Sequence, residues 1–77
     1  MTNSTLDKLQ PGNTGTIEKV LGNESIKRRL IEMGLLPGAR VEVIKRAPLG
    51  DPIVVKIKGY NLSLRESEAS NIFVDLS

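Results

Sequence analysis

Apolar and polar residues alternate along several short stretches of the chain. In residues 53–58, Ile53, Val55 and Ile57 share one face of an extended chain and the lysines share the other. This alternation is typical of a half-buried β-strand. Similar patterns, rich in β-branched or alternating apolar residues, predict strands over four more segments: Thr14–Val20, Arg40–Arg46, Tyr60–Leu64 and residues 72–76. In Tyr60–Leu64 we expect Tyr60, Leu62 and Leu64 to point inward.

Helical periodicity is clearest over residues 24–33. Asn23 precedes this segment as an N-cap, and Gly34 follows it as the left-handed residue that ends the helix. The apolar stripe has the i, i+4, i+7 spacing of Ile26, Leu30 and Met33. Two shorter helical turns are expected over residues 4–9 and 65–71.

These elements predict a mainly β fold. Short strands separated by turn residues, with a helix in the first connection, are typical of a small β-barrel. We expect about five strands, one helix after the first strand and a short helical turn before the last strand. With 77 residues the chain is predicted to form one domain over residues 1–77, with an ordered core over about 5–76.

The composition argues against most enzymatic chemistry. The chain has no Cys and no His, which removes thiolate zinc sites, disulfides, cysteine nucleophiles and imidazole bases. Its serines and threonines lack an evident base, and its glycines match no nucleotide-binding loop. We therefore expect no catalytic residues and no cofactor. No apolar stretch approaches the about 20 residues that span a bilayer, and the start lacks a secretory signal, so a cytoplasmic location is expected.

Charge and aromatic content argue against two kinds of binding. Eleven basic and nine acidic residues give a net charge of +2, and most of these charges are interspersed. Nucleic-acid binders usually concentrate basic residues on one face and stack bases on aromatic side chains. With only Tyr60 and Phe73, the chain is expected to bind neither nucleic acid nor proline-rich peptides.

The carboxylates do not converge in sequence as a hard-cation site requires. We assign them to the solvated surface, which leaves no predicted metal ligands. The side chains concerned are those of Glu24, Glu32, Asp51, Glu66 and Glu68.

Two segments resemble a known family. Residues 30–38 have the sequence Leu-Ile-Glu-Met-Gly-Leu-Leu-Pro-Gly, and residues 47–53 have Ala-Pro-Leu-Gly-Asp-Pro-Ile. Together with the Leu64-Arg65 step, they resemble the FeoA family of ferrous iron transport accessory proteins. The resemblance implies an SH3-like barrel. It also implies a non-enzymatic adaptor that binds the cytosolic part of a FeoB-type membrane transporter, which carries a GTPase domain, and modulates its assembly or activity.

The loop over residues 47–52 is the first candidate partner-binding site. Pro48 fixes one backbone angle and the following Gly50 permits a positive φ, so the loop is expected to be stiff. An apolar Leu49 near its tip then becomes a contact anchor, with Pro48 and Asp51 beside it. The competing interpretation is a well-formed hairpin connection in which Leu49 folds back over the barrel end.

Basic residues on the first helix and after the fourth strand are the second candidate set. Lys27 and Arg29 flank the apolar stripe of the helix, and Arg65 follows Leu64. Lys27 and Arg29 suit acidic groups of a partner, and an arginine such as Arg29 or Arg65 offered to a GTPase could stabilise transition-state charge. The competing interpretation is a solvated helix face. The alternative function that stays open is a small SH3-like module associated with nucleic acid or ribosomes. Exposed strand ends also favour a weak homo-oligomer.

Overall fold

The computed structural model describes residues 3–76, which form six strands, two α-helices and one 3-10 turn. The 3-10 turn covers Leu6–Lys8. The helices are α1 (Glu24–Glu32) and α2 (Glu66–Ala69). The strands are β1 (Asn3–Thr5), β2 (Thr14–Val20), β3 (Arg40–Arg46), β4 (Ile53–Ile57), β5 (Tyr60–Leu64) and β6 (Ile72–Asp75).

All strands belong to one antiparallel sheet in the order β1-β6-β2-β3-β4-β5. The expectation of about five strands closed into a barrel is wrong in two respects. First, residues 3–5 are extended and add a strand to β6, with Asn3 opposite Asp75. Second, β1 and β5 are the two edges of the sheet and do not pair with each other. The helix predicted after the first strand consequently follows β2.

The core contains the apolar residues that strand alternation predicts. Ile53, Val55 and Ile57 of β4 are buried, and so are Ile72 and Val74 of β6. The 3-10 turn adds Leu6, and the following Leu9 is also buried. Burial of these side chains in one cluster, with Leu30 of α1 and Ala69 of α2, is the main stabilising contribution.

Helix α1 forms as predicted and ends one residue earlier. The Asn23 side-chain oxygen accepts a hydrogen bond from Ile26 N at 2.9 Å, and Gly34 follows the helix with a φ of 97°. Leu30 is buried, and Ile26 and Met33 pack against the core from its periphery. The apolar stripe therefore attaches α1 to the sheet.

Tyr60 is the clearest exception to the predicted burial. The residue is 45% exposed, and its hydroxyl donates a 2.6 Å hydrogen bond to the Met33 carbonyl at the end of α1. Leu62, also predicted to point inward, is half-buried. Strand β5 therefore faces the core fully only at Leu64.

Candidate partner-binding site

The β3–β4 hairpin ends in residues 47–52, which we call the hairpin tip. Two backbone hydrogen bonds close it, from Gly50 N to Ala47 O at 2.8 Å and from Ala47 N to Pro52 O at 3.1 Å. Gly50 has a φ of 89°, a conformation that L side chains rarely adopt. The local sequence therefore gives a self-closed loop.

Leu49 is the most exposed large apolar side chain of the described residues. It is 97% exposed, whereas the other exposed large apolar side chains range from 36% to 45%. It does not fold back over the end of the sheet, and Pro48 beside it is also exposed. Pro48, Pro52 and Val54 contribute to an adjoining open groove of about 470 Å³. The tip is thus a protruding apolar knob next to a shallow apolar surface.

Asp51 of the hairpin tip and Arg46, directly before it, attach the hairpin to the rest of the molecule. The Asp51 Oδ1 accepts a 3.0 Å hydrogen bond from Glu66 N, at the start of α2. Arg46 donates two hydrogen bonds, of 3.2 and 3.1 Å, to the Leu9 carbonyl. The Asp51 side chain is therefore directed toward α2 and not toward Leu49. Its main role is to hold the hairpin tip to α2.

Glu68 of α2 is buried and makes two polar contacts. It is 7% exposed, its Oε1 accepts from Arg65 N at 2.9 Å, and its Oε2 lies 3.0 Å from Arg29 Nη1 of α1. The assignment of Glu68 to the solvated surface is therefore wrong. The signal was its place in the first turn of a short helix, where a carboxylate can accept from a free backbone N–H.

The predicted cations differ in whether they already have an ion-pair partner. Arg29 keeps 64% of its side chain exposed but is paired with Glu68. Lys27 and Arg65 are exposed, and within residues 3–76 neither is in an ion pair. Through Asp51 and Glu68, helix α2 contacts both the hairpin tip and α1. The candidate residues therefore lie on three connected elements.

The described part of the chain provides no evident centre for metal chemistry. Over residues 3–76, no group of three or more His, Cys, Asp or Glu side chains is placed to hold a metal ion. The same residues include no helix that is long and apolar enough to cross a membrane. Around the hairpin tip, the described surface offers a ligand an exposed apolar side chain and an adjoining groove, and exposed cations lie on α1 and before α2.

Comparison with known proteins gives a consistent result. The family model described as the FeoA domain matches residues 4–76. A relative from Porphyromonas gingivalis, an Fe(2+) transport protein A/Fe(2+) transporter FeoB fusion protein, is 38% identical over 71 residues. That match covers 92% of this chain but spans only 8% of the relative's length.

Solved structures with the same fold include two that share about a third of the sequence. The FeoA-like protein of Clostridium acetobutylicum is 31% identical with a TM-score of 0.90, over 99% of this chain and 90% of that one. FeoA of Stenotrophomonas maltophilia, complexed with zinc and described as an SH3 domain protein, is 33% identical with a TM-score of 0.82. That match covers 94% of this chain and 89% of the other. The fold is therefore SH3-like.

Proposed function

Because the chain belongs to the FeoA family, we propose that it is a non-enzymatic accessory protein of a ferrous iron transport system. In this proposal it acts in the cytoplasm, binds the cytosolic part of a FeoB-type transporter and modulates the transporter's assembly or activity. The observation that carries the proposal is the relative in which a segment 38% identical to this chain is fused to FeoB. Covalent linkage keeps two domains at high effective concentration, and separate chains that work together need a binding surface instead.

The hairpin tip is the proposed centre of that surface. Binding to a partner pocket removes Leu49 from water, and full burial of a leucine side chain is worth about 1.5–3 kcal/mol. Two hydrogen bonds already close the tip, so little further ordering is required on binding. Pro48 and the adjoining groove enlarge the apolar contact.

Cations around α1 and α2 supply the proposed polar rim. Lys27 and Arg65 are exposed and have no ion-pair partner within the described residues, so acidic partner groups can reach them. Arg29 contributes only by sharing its guanidinium between Glu68 and the partner. Asp51 acts indirectly, because it holds the tip to α2.

The test is binding of this chain to the cytosolic domain of the FeoB-type transporter, measured by calorimetry. Leu49→Asp is expected to weaken binding at least tenfold, since it places a charge where an apolar pocket must close. Arg65→Ala is expected to weaken it by a smaller factor. Leu21→Asp changes another exposed leucine, 43% exposed, and serves as the matched control.

The same measurement defines failure. If Leu49→Asp binds as tightly as the native chain, the hairpin tip is not the contact surface. If the native chain does not bind the domain at all, the adaptor role itself is wrong. Thermal unfolding of each variant separates a lost contact from a lost fold.

A further inference from the structure

Within residues 3–76, the outer edge of β5 is the longer of the two free edges of the sheet. β5 has five residues and pairs only with β4, whereas β1 at the opposite edge has three. Asn61 and Ser63 in the middle of β5 are exposed. Among residues 3–76, no hydrogen bond beyond the β4 pairing involves either of them.

The turn before β5 determines which backbone groups face this edge. Lys58 (φ 51°) and Gly59 (φ 87°) form a two-residue turn between Ile57 and Tyr60. Such a turn closes on a hydrogen-bonded pair, and hydrogen-bonded and non-bonded pairs alternate along an antiparallel ladder. The N–H and C=O groups of Asn61 and Ser63 therefore point away from β4.

The residue after the strand supports this alternation. Arg65 is two residues beyond Ser63, so its N–H also points outward. That N–H does not bond to β4 but donates to Glu68 Oε1 at 2.9 Å. Glu68 thus ends the edge, and four outward backbone groups remain between Tyr60 and Leu64.

Within Tyr60–Leu64 itself, the β5 edge carries none of the residues that usually protect against strand addition. Exposed edges normally carry charged residues, proline or a bulge. The sequence Tyr-Asn-Leu-Ser-Leu has neither charge nor proline. Its pairing with β4 runs from Ile57–Tyr60 to Ile53–Leu64 without a register shift, whereas the β2–β6 and β3–β4 pairings both contain one.

Positive charges surround the edge. Lys56 lies opposite Asn61 in register, Lys58 is in the preceding turn, and Arg65 directly follows the strand. All three are exposed, and over the described residues none is in an ion pair. Glu42 lies opposite Lys56 on the side away from the edge. At the Arg65 end, Glu68 is paired with Arg29 and Glu66 lies 3.9 Å from Arg46, so the unpaired positive charge is concentrated at the Lys56 and Lys58 end.

We propose that the β5 edge binds an extended, acidic segment of a partner protein, which adds to the sheet as a further strand. Main-chain hydrogen bonds to Asn61 and Ser63 supply the pairing, and the flanking cations select acidic residues. A second copy of this chain is the poorer occupant, because self-pairing gathers the Lys56, Lys58 and Arg65 charges of both copies at one seam. This surface shares only Arg65 with the hairpin-tip surface and extends beyond the proposed transporter contact.

The test uses the full chain and a short synthetic peptide of alternating valine and threonine with glutamates at both ends. Amide NMR spectra are expected to show saturable shifts at Asn61 and Ser63, together with slower hydrogen exchange at both. Ser63→Pro removes an outward N–H and is expected to weaken binding about tenfold. Ser63→Ala keeps that N–H and is expected to bind like the native chain.

Two further peptides separate the contribution of charge to binding from that of backbone hydrogen bonds. A peptide flanked by lysines instead of glutamates is expected to bind the native chain at least tenfold more weakly, and to recover in the Lys56→Glu, Lys58→Glu double variant. A peptide N-methylated at every residue between the terminal glutamates keeps its charge but loses the donors of both edges, so it is expected not to bind. This arm also replaces Ser63→Pro if that variant fails to fold.

Three results overturn the proposal. One is equal binding of the N-methylated peptide, and another is shifts confined to the hairpin tip or α1 or absent altogether. The third is concentration-dependent shifts of Asn61 and Ser63 without peptide, which identify a second copy as the occupant. Since no transporter is present, failure here leaves the adaptor proposal untouched, and failure of transporter binding leaves this one untouched.

Discussion

Among single residues, Glu68 combines burial with charge. A buried carboxylate is tolerated only when its oxygens are satisfied, and Glu68 has Arg65 N on one oxygen and Arg29 on the other. It therefore joins the end of β5, the start of α2 and the flank of α1. Arg29 is held in place by this contact, so its role is partly structural.

Replacing Glu68 with alanine is expected to lower the free energy of unfolding by about 1–2 kcal/mol, measured by urea denaturation. The loss follows from leaving Arg65 N without its acceptor at a helix start. Glu66→Ala is the matched control, because its side chain is 56% exposed and its ion pair is 3.9 Å long. The control is expected to change stability by less than about 0.5 kcal/mol. Equal losses in the two variants contradict a special role for Glu68.

The contrast between Leu49 and Glu68 shows what sequence pattern does and does not specify at this scale. The shape of the loop that carries Leu49 follows from local turn chemistry, since Pro48 and Gly50 bracket it, whereas its exposure was one of two interpretations that the sequence left open. The burial of Glu68 depends on α1, which is far away in sequence, and periodicity carries no information about that contact. Tyr60 was misplaced for the same reason, because its hydroxyl partner is the distant Met33 carbonyl.

Among the elements, α1 is followed by a segment with two glycines, one of which lies against β5. Gly34 and Gly38 both have positive φ, 97° and 92°. A Cβ at Gly38 meets nothing within 4 Å, whereas a Cβ at Gly34 lies 2.9 Å from the Tyr60 hydroxyl oxygen. A substitution at Gly38 therefore adds backbone strain alone, whereas a substitution at Gly34 adds the same strain and a steric contact with Tyr60 of β5.

Gly38→Ala is expected to destabilise the fold by about 1 kcal/mol, from backbone strain alone. Gly34→Ala is expected to cost more, because it also displaces the Tyr60 hydroxyl from the Met33 carbonyl. In a Tyr60→Phe background that excess is expected to shrink, since the hydroxyl is already gone. Chemical denaturation of the four variants and the native chain measures this coupling. If Gly34→Ala and Gly38→Ala lose the same stability in the native background, the packing of α1 against β5 is unimportant.

The predicted elements agree with the structure wherever the signal is local. Strands β2, β3 and β5 have the predicted bounds, and β4 and β6 each end one residue early, because alternation along a strand identifies it without its neighbours. β1 was missed because Asn3–Thr5 is short and polar. Its extended conformation depends on pairing with β6, about 70 residues away in sequence. Whether the sheet closes into a barrel could not be predicted either, because closure depends on which strands pair with each other.

At the scale of the whole molecule, the residues that hold the sheet together are different from those of the candidate binding surface. β6 lies between β1 and β2 and brings the two ends of the described chain together. The hairpin tip is attached through Asp51 and Arg46 but contributes none of the buried core residues. Changes in the hairpin tip are therefore expected to alter partner binding without altering the stability of the sheet.

A circular permutant tests this independence. Asn3 lies opposite Asp75, so a short glycine-serine linker can join the ends, and the chain can be reopened between Leu49 and Gly50. All strand pairings are retained, so cooperative thermal unfolding is expected to persist. The cut lies within the loop that the Gly50 N to Ala47 O hydrogen bond closes, so binding to the transporter's cytosolic domain is expected to fall at least tenfold.

A permutant opened between Gly22 and Asn23, before α1, is expected to keep both fold and binding. Native-like binding by the tip-opened chain means that a closed tip is not what the partner recognises, and loss of cooperative unfolding means that the tip is part of the fold.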